Sequence, residues 1–265
     1  MASVTAGTAD VASAAATPVE LYYVTNNGIY RTDATGSGQS TLLVSSTSPA
    51  DSVTASGGYI YWANFGSNNI GRATLDGSDV KYNFITTADG ASDVTVFGGF
   101  LYWASLLGDA IGRARLDGTG VDNLFIRGLY GPDAVAVAAP YLYFTDDGSG
   151  SVGRAELNGT DVDQYLVKGL AQPDGVVAAH GRLYWAQYSS LGRSTLSGTD
   201  PQARFISVPF KADQTELVSV AIGGSFLYWD DRASGIGRAR LDGADVRPSF
   251  NDSASAAQWV ATGRA

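Results

Sequence analysis

The sequence predicts an all-β fold, a single six-bladed β-propeller of four-stranded antiparallel blades, and three observations predict it. A Tyr-centred motif recurs six times along the 265 residues, with its first Tyr at Tyr22, Tyr61, Tyr102, Tyr143, Tyr184 and Tyr228. Subtraction gives steps of 39, 41, 41, 41 and 44 residues, a period shared by propeller blades and helical arrays. No window of about a dozen residues carries a sustained helical period with caps, so the strand reading prevails. Asp-Gly or Asn-Gly pairs return at one place in the repeat, at Asp76-Gly77, Asp117-Gly118, Asn158-Gly159 and Asp242-Gly243. Such pairs are favoured in two-residue hairpin turns, whose central residues need positive φ.

The elements follow in order within each repeat, lettered A to D from the axis outward. Strand A is a short apolar stretch such as residues 134–138, and strand B is the Leu-Tyr-Trp run. A polar turn leads to strand C, Ile-Gly-Arg-Ala-x-Leu, and the Asp-Gly turn leads to strand D, such as residues 123–126. The first blade begins best at strand B (Leu21-Tyr22-Tyr23), whereas residues 257–263 read as a strand A with no blade after it. The C-terminal run is therefore predicted to pair with residues 21–25 and complete the N-terminal blade, since an unpaired seam leaves open strand edges. The rival for that place is residues 10–16. Residues 1–18, rich in Ala, Thr and Ser, are expected to form a flexible leader, and residues 19–265 one propeller domain.

Composition excludes several function classes. The net charge of −9 and the lack of basic clusters argue against nucleic acid, which is held by cationic contacts to phosphate. No apolar run approaches the roughly 20 residues of a membrane helix. Cysteine is absent, which removes disulfides, thiol chemistry and Cys-based zinc sites. The first residues lack the basic and apolar regions of a signal peptide, and both a secreted mature form and a cytoplasmic protein remain open. A monomer is expected.

The repeat from Gly128 to Val162, GLYGPDAVAVAAPYLYFTDDGSGSVGRAELNGTDV, resembles a blade of the YWTD family, the propeller of low-density lipoprotein receptors. The resemblance rests on Pro and small residues before strand A, the Tyr-Trp-Thr-Asp tetrad on strand B, the strand-C Arg and the Leu-Asp-Gly hairpin. It covers roughly residues 20 to 250 and implies six blades. Only two tetrads keep the terminal Asp, at Asp146 and Asp231, and the Cys-rich modules that flank receptor propellers are missing. A receptor role is therefore not carried over.

Residues that repeat once per blade read as scaffold. Trp62, Trp103, Trp185 and Trp229 are assigned to packing between blades, with Leu and Trp on one strand face and Tyr on the other. The strand-C arginines (Arg31, Arg72, Arg113, Arg154, Arg193, Arg238) are expected to bind carbonyls or carboxylates of neighbouring blades. Functional candidates lie where D-to-A and B-to-C loops meet at one end of the ring. The D-to-A loops bring Asp51, Asp93, Asp133, Asp174 and Glu216 towards the channel mouth. The B-to-C loops add Asp146, Tyr188, Asp230 and Asp231, and the extended loop over residues 208–216 adds Phe210. Asp51, Asp133 and Asp174 each stand eight residues before strand B, so they are expected at one radius and height, with Asp93 one residue off. Crowded carboxylates are relieved by N–H donors, raised pKa values or a cation, and oxygen ligands suit Ca²⁺ or Mg²⁺. The competing reading makes each Asp a cap of its own turn.

Two functions stay open. The preferred one is a non-catalytic module whose acidic end holds a small molecule, peptide, sugar, cation or partner protein. The alternative is a carboxylate-dependent lyase, hydrolase or cyclase with its site at the same end. Streptogramin lyases are propellers with a comparable repeat whose chemistry uses histidine and a metal. Here the one histidine, His180, falls in an A-to-B turn at the opposite end, and no catalytic triad assembles.

Overall fold

A computed structural model describes residues 19–35, 39–45, 50–208, 217–231, 235–251, 254 and 257–264. Six four-stranded antiparallel sheets form the ring. Blade one holds β1 (Val19–Thr25), β2 (Gly28–Asp33) and β3 (Thr41–Ser45); blade two holds β4 (Ser52–Ser56), β5 (Tyr59–Asn64), β6 (Asn69–Thr74) and β7 (Lys81–Ile85). Blade three is β8 (Ala91–Phe97), β9 (Phe100–Ser105), β10 (Ala110–Arg115) and β11 (Asp122–Arg127). Blade four is β12 (Pro132–Ala138), β13 (Tyr141–Asp146), β14 (Ser151–Glu156) and β15 (Asp163–Lys168). Blade five is β16 (Pro173–Ala179), β17 (Arg182–Gln187), β18 (Ser190–Thr195) and β19 (Gln202–Ser207). Blade six is β20 (Val220–Gly223), β21 (Phe226–Asp231), β22 (Gly235–Arg240) and β23 (Arg247–Asn251). The last strand, β24 (Trp259–Arg264), pairs with β1 from Val24↔Trp259 to Val19↔Arg264 and closes the ring as expected. Strand A of blade one is thus C-terminal; residues 10–16, the rival, lie outside the described residues.

The blades are held together by one apolar cluster per junction. Tyr61 and Ala63 of blade two pack with Leu101 and Trp103 of blade three, and the same Tyr-to-Trp contact recurs around the ring. Phe144 takes the Trp place in blade four, and Leu21 and Tyr23 meet Tyr228 of blade six at the seam. Trp103, Trp185 and Trp229 are fully buried. The glycine of Ile-Gly-Arg exists because of them. A Cβ at Gly71, Gly112, Gly192 or Gly237 would stand 2.0–2.2 Å from Cε2 of the cross-strand indole. The ring lies flat where a side chain would have been.

Two expectations are corrected. The Asp-Gly pairs are not two-residue hairpins, because six residues separate β6 from β7 and, of the pair itself, the glycine alone has positive φ (Gly77, φ 81°), with Asp79 (φ 48°) further along the connection. Asp76 instead accepts the N–H of Ser78, and Asp117 that of Thr119, an Asp side chain closing a turn two residues on. The two-residue turns with paired positive φ lie between strands A and B, at Gly57-Gly58, Gly98-Gly99 and His180-Gly181. The arginines, second, act mainly within their own blade. Arg113 lies between Phe100 and Phe125, 4.9 and 4.0 Å from the ring centroids, and Arg72 and Arg238 are sandwiched likewise. Stacking on aromatic faces satisfies a weakly hydrated guanidinium. The neighbour-blade carbonyl is reached by Arg72 (Leu116 O, 3.4 Å) and by tyrosine hydroxyls such as Tyr143 (Leu196 O, 3.1 Å).

Candidate functional site: the axial cavity

The six A strands line the axis, and their pairing with the B strands puts them in one register. Val53, Val94, Val135, Val176, Val220 and Val260 face equivalent strand-B residues and mark a common level. One residue earlier stand Ser52, Asp93, Ala134, Gly175, Ser219 and Trp259. Two residues earlier stand Asp51, Ser92, Asp133, Asp174, Val218 and Gln258. The three aspartates expected at one height therefore share a register position, and Asp93 is one step off it.

At the D-to-A end these rows enclose a cavity of about 220 Å³. Its polar lining is Asp51, Ser92, Asp133 and Gln258; its apolar lining is Phe65, Leu106, Val218 and Trp259. Phe65 and Leu106 come from the B-to-C loops of blades two and three. Phe65 is fixed by its N–H, which donates to Asp51 Oδ2 at 2.7 Å. Ser92 Oγ donates to the Asp133 carbonyl at 2.7 Å and ties blade three to blade four.

Trp259 separates this cavity from a second, of about 130 Å³, running down the axis between the valines. It packs against the cluster of Tyr22, Val24 and Val53 on its own side and against the cluster of Ala134 and Ala136 of blade four. The other five residues of its row are Ser, Asp, Ala, Gly and Ser, so a narrow axis has room for one large side chain. Sequence reasoning recognised residues 257–263 as a strand but not Trp259 as the channel plug. Aligning the A strands column by column reveals it as one indole among small side chains.

The predicted site residues divide. Asp51 and Asp133 reach the cavity together, from blades two and four. Asp174 holds the matching place in blade five but is buried and lies outside the cavity lining. The Ca²⁺ or Mg²⁺ set of Asp51, Asp133 and Asp174 does not gather: among the described residues no three His, Cys, Asp or Glu side chains stand together as a metal cluster. Three blades spread them around the axis.

Asp93 points elsewhere, as its register requires. Its Oδ1 accepts the N–H of Val94 at 2.7 Å, and its Oδ2 that of Val135 in the next blade at 2.9 Å. Burial pushes its carboxyl up to about 7 against the pull of these amides and of Ser52, and the nearby Asp133 adds to the rise. Ser219 plays the same bridging part at the seam, accepting the N–H of Val260 at 2.9 Å.

Other acids cap turns. Asp146 accepts the N–H groups of Tyr130 (3.0 Å) and Ser149 (3.2 Å), and Asp230 accepts those of Val218 (3.3 Å) and Ser219 (2.7 Å). Both are buried scaffold. Tyr188 is an exposed turn residue whose carbonyl receives the N–H of Leu217, away from the cavity lining. Asp231 ends β21; its side chain, Phe210 and Glu216 lie outside the described residues. His180 sits in the β16–β17 turn, at the far end of the ring. Among the described residues no helix is long and apolar enough to cross a membrane.

No protein-family model and no curated protein sequence matches the chain. Solved structures do. A chain of a nidogen/laminin complex aligns with a TM-score of 0.79 at 16% identity, covering 92% of this chain and 98% of that one. A catalytically inactive virginiamycin B lyase from Staphylococcus aureus, solved with quinupristin, aligns with a TM-score of 0.63 at 20% identity over 89% and 86% of the two chains. A gluconolactonase from Xanthomonas campestris aligns at 0.62 and 14% identity, over 82% and 84%. At these identities the likeness establishes the propeller fold alone, on which binding proteins and enzymes both occur.

Proposed function

We propose that this protein is a non-catalytic binding propeller of the YWTD type, which holds its ligand in the axial cavity at the D-to-A end of the ring. The observation that carries the reading is the cavity itself. It joins two carboxylates, a hydroxyl and an amide to an aromatic floor at the axis, with lining residues from five of the six blades. Ligand sites combine a few placed polar groups with apolar walls in this manner. The nidogen propeller, from a complex with laminin, is in keeping with a binding role.

Carboxylate catalysis has less support. It calls for two convergent acids with separated pKa values. Asp93 is the raised acid near the axis, and both its oxygens are engaged by backbone amides. A hard-cation role for Asp51, Asp133 and Asp174 would need ligands from three blades to converge, so hydrogen-bond donors and organic cations fit the lining better.

The test is a thermal-shift panel of Ca²⁺, Mg²⁺, small amines, guanidines, amino acids and sugars, run on the parent and on an Asp51→Asn/Asp133→Asn double variant. Native-state ligands raise the melting temperature by mass action. At least one member is expected to raise it in the parent and not in the variant. A parent that responds to none refutes the reading.

A further inference from the structure

We propose that the partner is a protein loop or peptide presenting one basic side chain between apolar neighbours. The basic group enters the axial cavity, and the neighbours lie on an apolar shelf formed by Leu106, Leu107 and Tyr130. This rests on the axial cavity being the binding site and names what it binds.

Size is the first argument. Pockets for whole drug-sized ligands run to about 300–1,000 Å³, whereas this cavity holds about 220 Å³. That is room for a single side chain. Chemistry is the second. The entering group meets the carboxylates Asp51 and Asp133 and the indole of Trp259, in a protein of net charge −9. A guanidinium suits both, donating in its plane to carboxylates and stacking its face on an aromatic ring. Arg72, Arg113 and Arg238, each sandwiched between two aromatic rings of its own blade, follow the same preference at other places in this molecule.

The shelf is the third argument, and it is independent of charge. Leu106 lines the cavity and extends to within 3.3 Å of where a Gly131 Cβ would stand, beside Tyr130. The next residue, Leu107, and Tyr130 are each 60% exposed, the highest values among the large apolar side chains described. Their backbones are held in place. Leu106 N donates to Gly90 O (3.0 Å), and Gly131 N to Asp109 Oδ1 (2.9 Å). Tyr130 donates its N–H to Asp146 and receives that of Gly148 at its carbonyl (2.9 Å). Exposed apolar side chains on fixed backbone, continuous with a charged cavity, form a preorganised docking surface. Aromatic residues anchor such surfaces.

The probes are acetyl-Gly-Leu-Arg-Leu-Gly-amide, its citrulline counterpart and n-propylguanidinium, titrated by calorimetry. The Arg peptide is expected to bind the parent at least about tenfold tighter than the citrulline peptide, a preference erased in Asp51→Asn/Asp133→Asn. A Leu107→Ser/Tyr130→Ser variant, altered only at exposed side chains, is expected to lose about tenfold in peptide affinity and to hold n-propylguanidinium as the parent does. Equal binding of Arg and citrulline peptides, or undiminished peptide binding by the shelf variant, overturns the inference. If the peptides fail while another panel ligand responds to the Asp variant, this inference falls and the cavity reading stands. If nothing binds the parent, both fall.

Discussion

Adding one methyl group at Gly112 tests the packing logic of the whole ring. The Cβ of Gly112→Ala would stand 2.0 Å from Cε2 of Trp103, 2.3 Å from Cζ2 and 2.4 Å from Nε1. Carbon atoms in contact sit about 3.5–4.0 Å apart, so the indole must retreat by roughly 1.5 Å. It has nowhere to go, being fully buried against Tyr61, Ala63, Ile85 and Val94. Overpacking of this kind costs about 1–3 kcal/mol, and alanine recovers about 0.4–1 kcal/mol by restricting the unfolded chain. The clash wins. At about 2–4 °C per kcal/mol for a chain of this size, the melting temperature should fall by several degrees. Gly66→Ala is the control: its Cβ meets nothing within 4 Å, so it should leave the melt unchanged or slightly higher. Thermal and urea melts of Gly112→Ala, Trp103→Val and their double variant complete the assay. With the indole gone the methyl has space, so the double variant should be no less stable than Trp103→Val alone. A Gly112→Ala protein that melts with the parent, or strictly additive losses, would refute the reasoning.

Further outcomes are expected elsewhere in the fold. Removing residues 259–265 deletes the six β1 pairings of the closing strand and the buried Val260, and should cost a large share of a typical stability of about 5–15 kcal/mol; a truncated chain melting within a degree or two of the parent would sink the closure model. Asp93 takes up its proton more readily when folded, with a pKa of about 7 against 3.8 for the free side chain. Its contribution is therefore fully present below about pH 4 and is lost as pH rises through 7, a few kcal/mol at about 1.4 per pH unit. Asp93→Asn, giving up one amide acceptor, should show a flatter stability profile between pH 4 and 7, and parallel profiles would contradict this. Arg113→Met should lower stability by about 0.5–2 kcal/mol through loss of the Phe100–Phe125 sandwich, and a melt unchanged from the parent would remove that role.

Much of the architecture was legible because repetition exposes it. Each Tyr-Trp run needs a blade behind it to bury its Trp, and the orphan strand at residues 257–263 needed a first blade that began at strand B. The eight-residue spacing of Asp51, Asp133 and Asp174 was also readable, as was the offset of Asp93. Register is a property of alternation along one strand. What lay hidden depends on pairs distant in sequence. Nothing near Asp146 announces that Tyr130 donates to it, and Asp230 looks like a loop acid until Ser219 closes on it. The Asp-Gly pairs misled because turn composition narrows turn type without fixing loop length. Trp259 was read as one more strand residue because the five small side chains that make space for it belong to other repeats.

Closure by the last strand also governs how the protein is made. Synthesis runs from β1 onward, and the partner edge of β1 is supplied only when Trp259–Arg264 appears. At about 5–20 residues per second, the roughly 230 residues between them take on the order of ten to fifty seconds. Throughout that interval the nascent chain carries an open strand edge beside Tyr22 and Tyr23, free to recruit another chain. Ribosome pausing late in the message, before Trp259–Arg264 is released, should therefore raise aggregation.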